Sequence, residues 1–471
     1  MLFRSKMILS FATEVAHSTT DFEITKRIAD FLSDQSIVGN FHLTGDYARA
    51  LKRGNRIDVI EALTKHEIGF HCNHHGGNPF MGGYIEDNNW DDGVAHWLRN
   101  ELPGKVPVEE LFDRPVTYYT TEFSKAPQVL FASYLAGIPM CGYLKVPFRG
   151  YSGAWFCNSF ISSCEGAIGL EFLADEDVDA EDSAKLVFDT MRKSKSCNDD
   201  VIRVFTHLYR YYSPPPFDLG MSEIYKDNDW DYEDFNKDFP LLPSEKINEI
   251  TGRFERTIIH YASQGRFLSF SENLERFIPN RGHWISLEQL DILSAELDKD
   301  IDAYIVGGNI SISPAESFAL LICALKNFSE YKKWDDRYFL RNIIGPKEEI
   351  PENFRSQQVS VSEFTGKFRE IDRFINKELA LPTTFIFDDK TIGPGQFLKG
   401  LIQLYKAQRT GNELQTVDLS GTNYPVIAAE DFFQEKAFKH GNYYPDGFDG
   451  KSICAICRSQ SWSWKPALIN N

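Results

Sequence analysis

The sequence predicts an α/β fold, with parallel strands joined by helical crossovers over residues 1–283 and a smaller, mainly helical region over residues 284–471. Three observations predict it. Short apolar runs of strand length alternate with segments of helical period from Lys6 onward. The alternation stops near residue 284, where helical segments and an internal repeat take over. Finally, 471 residues exceed the roughly 250–300 that one hydrophobic core organises, so at least two domains are expected.

In order, "KMILSF" reads as a strand, "TDFEITKRIADFLSDQ" as a helix, "IVGNFHLTG" as a strand, "RIDVIEALTKH" as a helix and "EIGFH" as a third strand. Strands separated by a helix must run parallel, because the crossover returns the chain to the same end of the sheet. Ligands then gather at the carboxyl ends of the strands, where "SFATE", "LTGD" and "FHCNHH" fall. The pattern continues through "PVTYYTTEF", "KAPQVLFASYLAGI" and "VIRVFTHLYRYY", and ends near Phe277 with "ITGRFERTIIHYASQGRFLSFSENLERF". The acidic, aromatic stretch "EIYKDNDWDYEDFNKDFPLLPSE" fits either an insertion at the mouth or a solvated surface excursion.

Beyond residue 284, "IVGGNISISPAESFALLICAL" and "FIFDDKTIGPGQFLKGLIQLY" superpose, with Pro314 on Pro394, Ile312 on Ile392, Leu321 on Leu401 and Ile322 on Ile402. Each copy, at about 300–325 and 380–405, reads as a turn followed by an amphipathic helix with proline in its first turn, where a missing N–H costs nothing. Packing against the first domain is the simpler role for the pair.

Composition excludes several functions. With 42% hydrophobic and 25% charged residues the chain is globular. A net charge of −18 opposes general affinity for nucleic-acid phosphates or anionic lipid. No apolar run approaches the roughly 18 residues of a membrane span. The N-terminus reads as a strand rather than a leader, and eight cysteines are scattered without a framework spacing. A cytoplasmic chain with reduced thiols is therefore expected. "CAIC", Cys454 to Cys457, reads as two ordinary thiols, since no second pair accompanies it.

Chemistry concentrates in "KHEIGFHCNHHGGNPF", which holds four of the eleven histidines. His71 and His75 are four residues apart after a strand, a spacing that lets two imidazoles share one ion. His74 then points elsewhere, and His66 lies on the far side of the strand. A divalent ion needs a third protein ligand and an open position, and Glu14 after "LSFAT" is the carboxylate the topology offers. His207 ends the apolar run "VIRVFTH" and can act as general acid or base from across the sheet; alone, it reads as a satisfied strand-end histidine.

The order of strand-end acid, HxxxH, late strand-end histidine and "RFLSFSENLERF" resembles the polysaccharide deacetylase superfamily (carbohydrate esterase family 4-like) over residues of about 7–280. "FHLTGDYARALKRGNRIDVIEALTKHEIGFHCNHHGGNP", "WDDGVAHW", "SKAPQ" and the downstream "SPAES" are similar to a divergent branch of it. The resemblance implies a distorted (β/α)7 barrel and a divalent metal, most often zinc, held by Glu14, His71 and His75. It implies hydrolysis of N-acetyl or related amide C–N bonds in a carbohydrate, with metal-bound water as nucleophile and His207 protonating the leaving amine. The family's first strand usually ends in two acids, a general base and a ligand. Here Ala12 and Thr13 occupy those positions, so Glu14 must serve as ligand, as base, or as both, with Asp46 as a second acid. Tyr118, Tyr119 and Glu122 replace the family's arginine-bearing substrate segment. Two alternatives stand beside the deacetylase: a carbohydrate-binding protein that has lost the base, and an amidohydrolase acting on a small N-acylated substrate.

Overall fold

The computed structural model describes residues 5–13, 19–74, 81–120, 126–144, 148, 151–163, 167–174, 179–194, 201–213, 241–351, 357–388, 390–429 and 448–470. Most of the acidic, aromatic stretch read as an insertion lies outside them.

The N-terminal part is built on a large, mostly parallel sheet. Its strands are β1 (Ser5–Thr13), β2 (Asn40–Leu43), β3 (Glu67–Phe70), β4 (Tyr118–Tyr119), β5 (Met140–Leu144), β6 (Gly153–Phe156), β7 (Ser159–Ser163), β8 (Ile168–Gly169), β9 (Val201–His207) and β10 (Gly265–Phe267). They lie in the order β6-β7-β5-β4-β3-β2-β1-β9-β8, with β10 also on β1. Only β6 and β7 in this series are antiparallel neighbours. Their two-residue turn, Cys157 and Asn158, has positive φ at both positions (47° and 67°), the hand that matches strand twist.

β1 is buried from Met7 to Thr13, as expected of a parallel strand covered on both faces. Met7, Leu9 and Phe11 join the core beneath the helices. Ile8, on the opposite face, belongs to a second cluster with Tyr118, Met140, Phe160, Phe270 and Phe277. A flat sheet would hold β7 five spacings from β1, about 24 Å. The sheet therefore curls around this aromatic interior. Asn40 holds β10 in place at the lower end of β1. Its amide donates to the Leu9 and Leu268 carbonyls (2.9 and 3.3 Å) and accepts from Phe270 N (2.8 Å).

The C-terminal part has its own core, around Phe318, Phe364, Phe385 and Phe397. Strands Tyr304–Val306 and Ile310–Ile312 form a hairpin that leads into the helix Pro314–Tyr331. Strands Phe385–Phe387 and Lys390–Ile392 do the same before the helix Pro394–Thr410.

Residues after 450 return to the first sheet. Lys465–Pro466 pairs with β6, Ile469 bridges to Phe277, and Trp464 stacks on Phe156 (centroids 4.3 Å apart). Cys454 and Cys457 lie on the helix Lys451–Ser459 and pack into the N-terminal core. The edge of β6 thus takes its hydrogen-bond partner from the far end of the sequence. No helix among the described residues is long and apolar enough to cross a membrane.

Candidate active site

Parallel register brings several sequence-predicted residues to one end of the sheet. Ala12 on β1 is flanked by His42 on β2 and His207 on β9. His71 follows β3 directly, and its N–H continues the ladder onto the Leu43 carbonyl (2.9 Å). Thr120 follows β4 and donates its N–H to the Phe70 carbonyl (3.1 Å).

Local hydrogen bonding fixes how these histidines present themselves. The Nδ1 of His71 bonds the Thr120 carbonyl, which can only accept, so Nδ1 carries the proton and the neutral ring keeps its lone pair on Nε2. Nδ1 of His207 lies 2.9 Å from Glu171 Oε1, on the short helix Glu171–Ala174 after β8. Nδ1 of His74 lies 2.8 Å from Asp46 Oδ2. All three rings are therefore anchored through Nδ1.

Asp46 owes its place to a helix start. Thr44, at the end of β2, caps the helix Gly45–Arg53 by accepting from Tyr47 N (3.1 Å), which puts the Asp46 carboxylate in the first turn, where the helix dipole favours it. Both Asp46 oxygens are engaged, one by His74 and the other by Arg49 Nη2 (2.6 Å). Asp46, expected as a second acid, is bonded to His74 and Arg49. His74 in turn makes a specific pair that its spacing did not reveal.

Tyr118 and Tyr119 are fully buried. Tyr118 lies inside the sheet, 4.7 Å from the His42 ring and 4.0 Å from that of Phe270, and its ring fills the space over Gly69. The Tyr119 hydroxyl, on the helix side, accepts from Trp97 Nε1 (3.2 Å). Strand alternation sends one ring into each core. His66 is also buried, with Nε2 2.8 Å from the Ala29 carbonyl and Nδ1 accepting from Gly39 N (3.2 Å). Burial lowers its pKa. Glu14, His75 and Glu122 lie outside the described residues. Among the described residues no three His, Cys, Asp or Glu side chains gather closely enough to hold an ion.

Sequence reasoning missed Glu101. It lies on the helix Trp90–Phe112, is 7% exposed, and accepts from Asn73 N (2.6 Å) in the middle of the histidine loop. Burial pushes its carboxyl up to about 7, against the opposing pull of that N–H and of His74 and His71. Thr120 was missed as well; its hydroxyl bonds His42 Nδ1 while its carbonyl holds His71.

No family model and no curated protein sequence matches the chain. Solved polysaccharide deacetylases are similar to it in structure. A peptidoglycan deacetylase from Bacillus subtilis matches at 8% identity and a TM-score of 0.29, over 58% of this chain and 91% of its own. A CE4 family pseudoenzyme from Bacillus anthracis matches at 12% identity and a TM-score of 0.32, over 57% of this chain and 66% of its own. The 4-alpha-glucanotransferase from Thermococcus litoralis matches at 12% identity and a TM-score of 0.37, over 59% of this chain but only 41% of its own length.

Proposed function

We propose that this protein is a metal-dependent hydrolase of amide C–N bonds, removing N-acetyl or related acyl groups from a carbohydrate at the carboxyl end of a distorted β/α barrel. The observation that carries the reading is the pair of anchored histidines at one end of the sheet, His71 after β3, backed by a carbonyl, and His207 on β9, backed by a carboxylate. Nδ1 of His71 is held by a backbone acceptor, which fixes the tautomer a metal ligand at Nε2 needs. His71, His75 and Glu14 are the ligands of the proposal, and zinc suits that donor set. When bound, the ion supplies Lewis acidity toward an amide carbonyl and acidifies water.

The other steps belong to the chain's own residues. Glu171 holds the His207 ring through Nδ1, so Nε2 is the atom that passes a proton to the departing amine nitrogen. Ala12, between His42 and His207, brings no carboxylate to the centre of the site, so deprotonation of the attacking water falls to Glu14.

The test is zinc content of the purified protein by mass spectrometry, together with acetate release from N-acetylated sugar oligomers. His71→Ala and His75→Ala are each expected to abolish stoichiometric zinc, whereas His74→Ala and His66→Ala retain it. His207→Ala should keep zinc and lose about 100-fold or more of the acetate release. Wild-type protein that takes up no zinc would end this reading. Ala12 favours a second one, a carbohydrate-binding protein without the base; zinc and sugar binding with no acetate release would select it.

A further inference from the structure

Between His71 and His75 the chain passes through Asn73, whose four polar groups are all held. Its N–H donates to Glu101 Oε2 (2.6 Å), and its side-chain amide donates to the Asn100 carbonyl (2.8 Å). Its side-chain oxygen accepts from Arg49 Nη2 (3.0 Å), and its carbonyl accepts from Asp46 N (3.1 Å). The preceding carbonyl, of Cys72, accepts from Gly45 N (2.9 Å). Two helices supply every one of these partners: Gly45–Arg53 after β2, and Trp90–Phe112.

Those helices meet around Asn73 because both carry glycine there. A Cβ on Gly45 would stand 2.4 Å from Gly104 Cα, and one on Gly104 would stand 2.4 Å from Asn73 Cα. Proline contributes too. Pro107 has no N–H to offer the Pro103 carbonyl one turn back, and Arg49 Nη1 approaches that carbonyl instead (3.4 Å). Two glycines, two in-helix prolines and a buried acid at one contact are a costly local choice, of the sort a chain keeps where geometry matters.

We propose that Glu101 and Asn73 are positioning residues, which clamp residues 71–74 between the two helices and fix the backbone that presents His71 to the ion. The proposal rests on the metal reading above and deepens it. Glu101 acts as a hydrogen-bond acceptor, so glutamine, whose amide oxygen can accept from Asn73 N, replaces it, whereas leucine does not.

The experiment measures zinc affinity by competition with a chelator, and amide hydrogen exchange across residues 71–74, on the full chain. Glu101→Leu should weaken zinc binding about 10- to 100-fold and speed exchange at Asn73, while exchange in β1 and β9 stays unchanged. Glu101→Gln should restore affinity to within about twofold of wild type, which a mere filler of space would not do. Asn73→Ala, which keeps the N–H bond to Glu101 but loses the side-chain bonds, should fall between them and covers the case in which the leucine variant does not fold. Wild-type affinity in Glu101→Leu, or equal losses in the leucine and glutamine variants, overturns the proposal. If wild type binds no zinc, the metal reading fails. Exchange then decides the clamp: acceleration confined to residues 71–74 in Glu101→Leu supports it, and acceleration everywhere overturns it.

Discussion

Two of the deeply buried acids, Glu101 under the histidine loop and Glu316 at the start of the helix Pro314–Tyr331, are compensated in opposite ways. Both oxygens of Glu316 lie 2.6 Å from Lys465 Nζ, and one also caps Ser313 N (2.8 Å). Glu101 has a backbone N–H and, nearby, two histidines. A buried carboxylate with its own cation is part of the framework, here one joining the returning C-terminal strand to the helix Pro314–Tyr331. One without a bonded cation sits uneasily ionised, and it lies beside the strand ends where chemistry is proposed.

The largest effect that would sharpen this contrast comes from breaking the framework pair. Lys465→Met leaves Glu316 buried without its cation and should cost about 3–5 kcal/mol in urea unfolding. Adding Glu316→Gln should recover much of it. The second hairpin–helix unit already uses glutamine for this cap, Gln396 accepting from Gly393 N (3.2 Å). No recovery in the double variant would mean that the charge pair itself, rather than its packing, holds the strand.

Next is the pH response of Glu101. Its pKa in the folded chain, about 7, lies above the ordinary 4.5, so the fold binds a proton more tightly than the unfolded chain does. That contribution is fully present below pH 4.5 and is lost as pH rises through 7. In chelator-treated protein, stability relative to Glu101→Gln should fall by about 3 kcal/mol between those limits, at 1.36 kcal/mol per pH unit. A difference that is flat with pH would show Glu101 to be solvated rather than buried.

Smaller effects probe the two cores on either side of β4. A Cβ on Gly69 would stand 2.3 Å from the Tyr118 ring, so Gly69→Ala must displace that ring and should destabilise by about 1–3 kcal/mol. Tyr119→Phe removes the acceptor for Trp97 Nε1 and a weak donor to Met81 Sδ, and should cost about 1 kcal/mol with no change in zinc binding. Loss of zinc in this variant would return Tyr119 to the site.

What could be read from sequence follows the range of the forces involved. β1, β2 and β3 announce themselves because apolar runs and helical periods are local, and the ends of β3 and β9 could be placed within a residue of His71 and His207. The Asp46–His74 and Glu171–His207 pairs join residues 28 and 36 positions apart and leave no periodic trace. Glu101 was hidden for another reason: Pro103 and Pro107 interrupt the pattern of a helix that nevertheless runs from Trp90 to Phe112. Strand alternation does anticipate that Tyr118 and Tyr119 face opposite sides, though not that both sides are closed.

The antiparallel pairing of Lys465 with Trp155 also bears on how the protein is made. A ribosome adding 5–20 residues per second delivers the second partner roughly 15–60 s after the first, since roughly 300 residues separate them. For that interval the outer edge of β6 waits without its partner strand on the nascent chain, while the residues between them emerge. Slow synthesis would lengthen the exposure, and a binder of bare strand edges would find its target only on ribosome-bound chains.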